Sequence, residues 1–148
     1  MRGRIEQDLK EAMLSGDKAK TETLRILKSA LQNEAINQKA QDTGLSDEQI
    51  QRVLSSEAKK RAEAAELYKN AGETERAEKE LAEKQVIEAY LPEQMSEEEL
   101  ASLIDKHIQT LGASGMADMG KVIGAVKAEA GAAADGSTVA RLTKEKLR

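Results

Sequence analysis

The chain has 148 residues, 34% of them charged, and a formal net charge of −4. That balance fits a water-exposed protein and runs against a generally basic nucleic-acid binder, though a local basic face remains compatible with it. Cys, Phe and Trp are absent and Tyr occurs twice, which excludes disulfides, a thiol nucleophile and thiolate metal sites and leaves any core to Leu, Ile, Val, Met and Ala, a palette suited to a thin helical unit rather than a thick layered globule.

Ile5, Leu9, Ala12 and Met13 recur at helical spacing, and Gly16 suits a helix stop. Asp17 can cap a second helix, with Leu24, Leu27, Leu31, Ala35 and Gln38 on one face and Ile26 and Ala30 beside it. After a turn at Asp42-Thr43-Gly44, Ser46 and Gln49 form a capping-box pattern. The third helix then carries Ile50, Val53, Leu54, Ala58, Ala65 and Tyr68 and reaches Gly72. A fourth gathers Leu81, Ala82, Gln85, Val86, Ala89 and Tyr90. Short links between long amphipathic helices predict antiparallel neighbours.

Pro92 is the single proline. It has no N–H and disfavours helical geometry at the preceding residue, so the fourth helix should stop near Leu91. Ser96 with Glu99 forms a second capping-box pattern. This stop, turn and start marks the boundary between two helical units. Beyond it, Leu100, Leu103, Ile104, His107, Ile108 and Leu111 form one stripe, ended by Gly112. Met116, Met119, Ile123, Val126 and Ala130 form the next. Asp135-Gly136-Ser137 is a turn and cap, and Val139, Leu142 and Leu147 close the chain. No alternating β-branched run suggests a strand. The expected architecture is all-α: an N-terminal hairpin or bundle of about four helices over 1–91, then a three-helix unit over 96–148.

Gly120 and Gly124 lie inside a predicted helix, where each costs about 1 kcal/mol relative to alanine. Close helix–helix packing is the first explanation, and close approach by a ligand or nucleic-acid backbone is the second. Gly112-Ala-Ser-Gly115 precedes the same helix; Asp118 in its first turn would oppose an anion there. From Gly112 onward the cations are Lys121, Lys127, Arg141, Lys144, Lys146 and Arg148, against Asp118, Glu129, Asp135 and Glu145. Lys59-Lys60-Arg61 is a second basic patch, with Glu57 and Glu63 close by. Without aromatics for base stacking, any RNA contact would be to backbone and shape.

His107 is the one histidine and sits on an apolar stripe, as a packed residue would. No second histidine or spaced carboxylate pair accompanies it, so no metal is expected. Glu97, Glu98 and Glu99 complement a helix dipole. Ser55 and Ser56 with Lys59 lack a glycine-rich oxyanion loop. No catalytic residue and no cofactor is expected. The N-terminus lacks the apolar segment of a signal peptide, and no run approaches the roughly 20 apolar residues of a membrane span; the expectation is a cytoplasmic protein with no membrane partner.

The order of motifs resembles the YqeY-like proteins, related to the tail domain of GatB, a subunit of the glutamine-dependent aspartyl/glutamyl-tRNA amidotransferase. The matching stretches are Asp8-Leu-Lys-Glu-Ala-Met13 with Gly16-Asp-Lys18, Thr23-Leu-Arg25, Lys59 with Arg61 and Glu63, Ala89-Tyr-Leu-Pro-Glu-Gln94, Glu98-Glu-Leu100, Asp118-Met-Gly-Lys121 with Gly124, and Ala134-Asp-Gly136. They span nearly the whole chain. The resemblance implies an N-terminal helical unit and a C-terminal three-helix unit. It also implies an association with tRNA and with glutamine-dependent transamidation, a carbon–nitrogen ligase reaction whose catalytic sites lie outside the shared region. One departure stands out: the family commonly has Gly-Arg-Ala-Asp before the last helix, and here Ala132-Ala133-Ala134-Asp135 takes its place, removing an arginine that is a candidate for phosphate binding.

The sequence therefore leads to a non-catalytic, tRNA-associated helical module. Lys121, Lys127, Arg141 and Lys144 are the candidates for RNA-backbone contact, and tRNA or a tRNA-handling enzyme is the expected partner. The competing expectation is a protein-interaction adaptor that docks another protein through its N-terminal helices.

Overall fold

Local signals set the helix ends. In the computed structural model, which describes residues 1–148, helix α1 (Arg2–Ser15) stops at Gly16, whose left-handed φ of 76° only glycine adopts without strain. Asp17 then caps α2 (Lys18–Asn37), its carboxylate accepting the Lys20 N–H at 3.1 Å. Ser46 and Gln49 make both bonds of a capping box at the start of α3 (Asp47–Asn70). Gly72, with φ 78°, turns the chain into α4 (Thr74–Glu88).

Ser96 and Glu99 make the second complete capping box, at the head of α5 (Glu97–Leu111). A single 3₁₀ turn at Met116–Asp118 leads into α6 (Met119–Ala130), and another at Gly131–Ala133 into α7 (Gly136–Leu147), which Asp135 caps through the Thr138 N–H at 2.9 Å. There are seven α-helices and no strand: the fold is all-α. The chain divides into two compact units, Met1–Leu91 and Pro92–Arg148.

The first unit packs Ile5 and Leu9 of α1, Leu24, Leu27 and Leu31 of α2, Ile50 and Leu54 of α3 and Ile87 of α4 into one aliphatic cluster, with Tyr90 at its edge. Thr21 and Thr23 are buried in α2, where their hydroxyls donate to the carbonyls of Asp17 and Ala19, so neither hydroxyl is stranded. The α3–α4 hairpin is the most extensive helix pair in the chain. Its facing residues are largely small or charged: Ala58, Ala65 and Ala77 are buried, and Arg61 of α3 meets Glu83 of α4.

The second unit closes around Leu100 and Ile104 of α5, Val122 and Val126 of α6, and Val139, Leu142 and Leu147 of α7. The segment after Pro92 is fastened to this unit. The Met95 N–H donates to the Ala133 carbonyl at 2.8 Å, and the Gln94 side-chain amide to the Ala132 carbonyl at 2.7 Å.

Three parts of the expected stripes turn out differently. On α4 the buried positions are Ala77 and Ile87, with Glu80, Glu83 and Lys84 partly covered, while Leu81, Ala82, Gln85 and Ala89 are exposed. The face that meets α3 carries charged residues, of which Glu83 pairs with Arg61 of α3, so apolar periodicity pointed about one position off. On α6 Val122 is fully buried beside Val126, and Met116 is exposed. The true face runs through Met119, Val122, Ile123 and Val126, because a 3₁₀ turn precedes the helix and changes the angular step per residue. Met13, Ile26 and Leu111 also lie exposed at the margins of their stripes.

Candidate nucleic-acid interface

The first turn before α6 is satisfied from within. The Asp118 carboxylate accepts the Ser114 N–H at 3.1 Å, which occupies the Gly112–Gly115 turn with the protein's own anion. Opposite the buried Val122 and Val126, helical spacing places Ala117, Gly120, Gly124 and Ala128 on one face, and all four are exposed. A Cβ added at Gly120 or Gly124 would meet nothing within 4 Å. Within this chain no helix lies against these glycines, so packing inside the fold does not account for them. What they leave is a smooth ridge on which helix backbone faces solvent.

Lys121 and Lys127 flank that ridge, both exposed. The ion pairs of this unit are Lys106–Glu129 at 2.9 Å, Lys146–Asp105 at 2.8 Å, Arg141–Glu145 at 3.4 Å and Arg141–Glu97, and the His107 Nε2 is hydrogen-bonded to Glu129 at 2.6 Å. Lys121, Lys127 and Lys144 take part in none of them, so their charges are uncommitted. Lys127 lies across the start of α7: its Nζ is 3.4 Å from the position a Cβ of Gly136 would occupy. Arg141, by contrast, is held between two carboxylates and is the least available of the four expected contacts.

His107 is packed at the rim of the α5–α6 interface with its side chain 17% exposed and its Nε2 on Glu129. Hydrogen bonds from Lys106 first and His107 second hold the Glu129 carboxyl below its ordinary value of 4.5. One carboxylate, one imidazole and one ammonium make a polar clamp between two helices. No group of three or more His, Cys, Asp or Glu residues is gathered as a metal would require.

The second basic patch is largely neutralised by neighbouring carboxylates. Glu57 takes Lys60 at 3.0 Å and Arg61 at 2.6 Å, and the Arg61 Nε lies 3.5 Å from Glu83. Arg61 is only 11% exposed. It is an internal tie between α3 and α4, and only Lys59 of the trio is uncommitted. Ser55 and Ser56 lie mid-helix on α3, as expected.

One cluster had no counterpart in the sequence reading. Tyr90, at the end of α4, donates its hydroxyl to Asp8 of α1, and the Arg4 guanidinium lies 4.9 Å from the Tyr90 ring centroid. Burial chiefly, then the hydrogen bond and charge of Asp8, push the phenol above its ordinary value of 10.0, against the opposing pull of Arg4. Asp8 and Tyr90 are 82 positions apart, and no local pattern links them. The sole available clue was the family-like Asp8 and Ala89-Tyr-Leu-Pro stretches, which gave no hint that they meet.

A family model described as Yqey-like protein matches residues 2–147, nearly the full chain. No curated protein matches it.

Proposed function

The chain belongs to the Yqey-like protein family, and from that premise we propose that it is a non-catalytic helical module that associates with tRNA through α6 and α7, as its resemblance to the GatB tail implies, and that it serves glutamine-dependent transamidation by holding RNA rather than by chemistry. The observation that carries the reading is the bare glycine ridge of α6. Gly120 and Gly124 lower helix propensity, fill no internal contact, and stand between two lysines with no carboxylate partner. A phosphate backbone needs both features, close approach to a smooth surface and uncommitted positive charge. Lys144 extends the charge onto α7.

The glycines make the reading testable in two directions at once. Gly120→Ala and Gly124→Ala each stabilise α6 by about 1 kcal/mol, because the new methyl meets open space. The same changes weaken tRNA binding. Titration of tRNA at several salt concentrations gives a steep loss of affinity with salt, and Lys121→Ala with Lys127→Ala lowers the log–log slope by about 2. No binding at low salt sinks the direct RNA reading. Ammonia release from glutamine by the purified chain would overturn its non-catalytic part.

A second reading, a protein-interaction adaptor, draws on the first unit, where Leu14 is 81% exposed and Ile36 and Leu67 are also open to solvent. A pull-down that recovers one defined protein, insensitive to nuclease and lost in Leu14→Glu, would favour it over the RNA reading.

A further inference from the structure

An open hollow of about 300 Å³ lies within the first unit, between α1, the first turns of α2 and the last turns of α4. Its polar lining comes from Arg4 and Asp8 of α1, Lys20 of α2 and Gln85 of α4; its apolar wall is the stretch of α4 around Val86 and Ala89. On this stretch Val86 is half-buried against the core of the unit, while Ala82, Gln85 and Ala89 are open to the hollow.

The charges in the hollow do not cancel. Asp8 is engaged by the Tyr90 hydroxyl and, at 4.0 Å, by Arg4. Tyr90 stays protonated, and so neutral, at ordinary pH. Lys20 has no carboxylate partner, and the Gln85 amide makes no hydrogen bond to the protein. The Arg4 guanidinium lies 4.9 Å from the Tyr90 ring centroid with its Nε 4.0 Å from Asp8, and none of its N–H groups makes a hydrogen bond within the protein. Two cations against one carboxylate leave one positive charge to be met, beside an aliphatic wall. We propose that this hollow binds a small organic carboxylate, its head on Lys20 and Arg4, with Gln85 as the neutral partner and its short apolar body along Val86 and Ala89.

A bare inorganic anion would satisfy the cations and leave the wall wet. An uncharged apolar molecule would cover the wall and leave Lys20 unmet. The volume is at the lower end for small-molecule sites, so the ligand is of metabolite size and the binding weak. The site lies in a different unit from the α6 ridge, so its test and the tRNA titration succeed or fail separately.

The experiment is a titration of the full chain with isocaproate, followed through backbone amide resonances at fixed ionic strength. Isocaproamide and inorganic phosphate serve as the two comparison probes. The expected result is saturable shifts at Lys20, Gln85, Val86 and Ala89 with isocaproate and weaker, non-saturating shifts with either comparison probe. Lys20→Gln weakens binding roughly tenfold, the loss of one charge-assisted contact. Ala89→Leu fills the hollow from an exposed position and abolishes the shifts while the far-ultraviolet circular dichroism stays unchanged. Absence of shifts at tens of millimolar isocaproate overturns the proposal. So does an equal response to phosphate or to the amide, or binding that survives both substitutions.

Discussion

The two units answer the same shortage of large side chains in different ways. The C-terminal unit closes mainly with aliphatic residues: seven buried Leu, Ile and Val side chains meet in one cluster, the buried Thr143 hydroxyl donates back to the Val139 carbonyl at 2.7 Å, and the ion pairs stay at the rim. The N-terminal unit also has an aliphatic cluster, but its α3–α4 half is joined by alanines and by the Glu57–Arg61–Glu83 tie. The difference follows from composition. α5 is rich in Leu and Ile, whereas α4 offers few apolar residues, so it borrows Coulomb attraction and the stems of long side chains to cover its interface. A purely apolar contact tolerates sliding between rotamers of similar shape. An ion pair between specific atoms does not, so the charged tie is expected to favour one register of the α3–α4 hairpin.

The largest effect should come from striking the apolar unit at its centre. Ile104 is fully buried, and Ile104→Ala should cost about 3 kcal/mol through lost burial and a residual cavity. Small domains have little stability in reserve. Amide exchange should therefore report loss of protection throughout α5, α6 and α7 while α3 and α4 remain protected.

Arg61 is the corresponding target in the other unit. Arg61→Ala leaves Glu83 without a cation and Glu57 with Lys60 alone, a loss of about 2 kcal/mol after allowance for partial exposure. Replacing the trio together, Glu57→Leu, Arg61→Met and Glu83→Leu, should restore most of that stability in chemical denaturation, because a matched apolar contact avoids the desolvation of three charges. Recovery of stability with broadened α3–α4 resonances would sharpen the comparison by separating register from energy. If the single substitution is harmless, the charged tie is ornamental and the contrast between the units fails.

Tyr90→Phe should have a smaller effect, about 1 kcal/mol for the lost bond to Asp8. It also carries a pH signature. The folded phenol holds its proton above 10.0, where the unfolded one ionises. The contribution is complete below that value and is lost as pH rises beyond it. Stability of the N-terminal unit should fall above pH 10.0 in the parent chain, and Tyr90→Phe should remove the part of that fall due to this group.

The smallest effect concerns Glu129, whose carboxyl is held below 4.5 by Lys106 and His107. The pairing stabilises above that value and is lost as pH falls through the lowered folded-state value. Titration of the Glu129 side-chain resonance should give a midpoint below 4.5, moving upward in Lys106→Ala. An unmoved midpoint would remove the rim clamp from the description of the C-terminal unit.

Much of this protein was legible along the chain. Gly16, Asp17, Ser46 with Gln49, Ser96 with Glu99, Gly112 and Asp135 all act within a few residues of themselves, so capping chemistry placed the helix ends without knowledge of the fold. The aliphatic stripe of α5 was legible for the same reason: its Leu and Ile repeat is dense enough to leave one choice of face. The candidate cations could be counted in the sequence, but not sorted. Lys121 and Lys127 look no different from Arg141 or Arg61 until the carboxylates of other helices are placed beside them.

What the sequence determined alone, then, was the set of helices and their limits, because backbone hydrogen bonding and capping are short-range. Tertiary structure decided which face of α4 and of α6 is inside, since those helices carry too little apolar contrast to choose for themselves. It also decided which charges are used up in holding the fold and which remain for a partner. Electrostatic pairing depends on distance in space, and residues as far apart in the chain as Asp8 and Tyr90 become neighbours only when the helices pack.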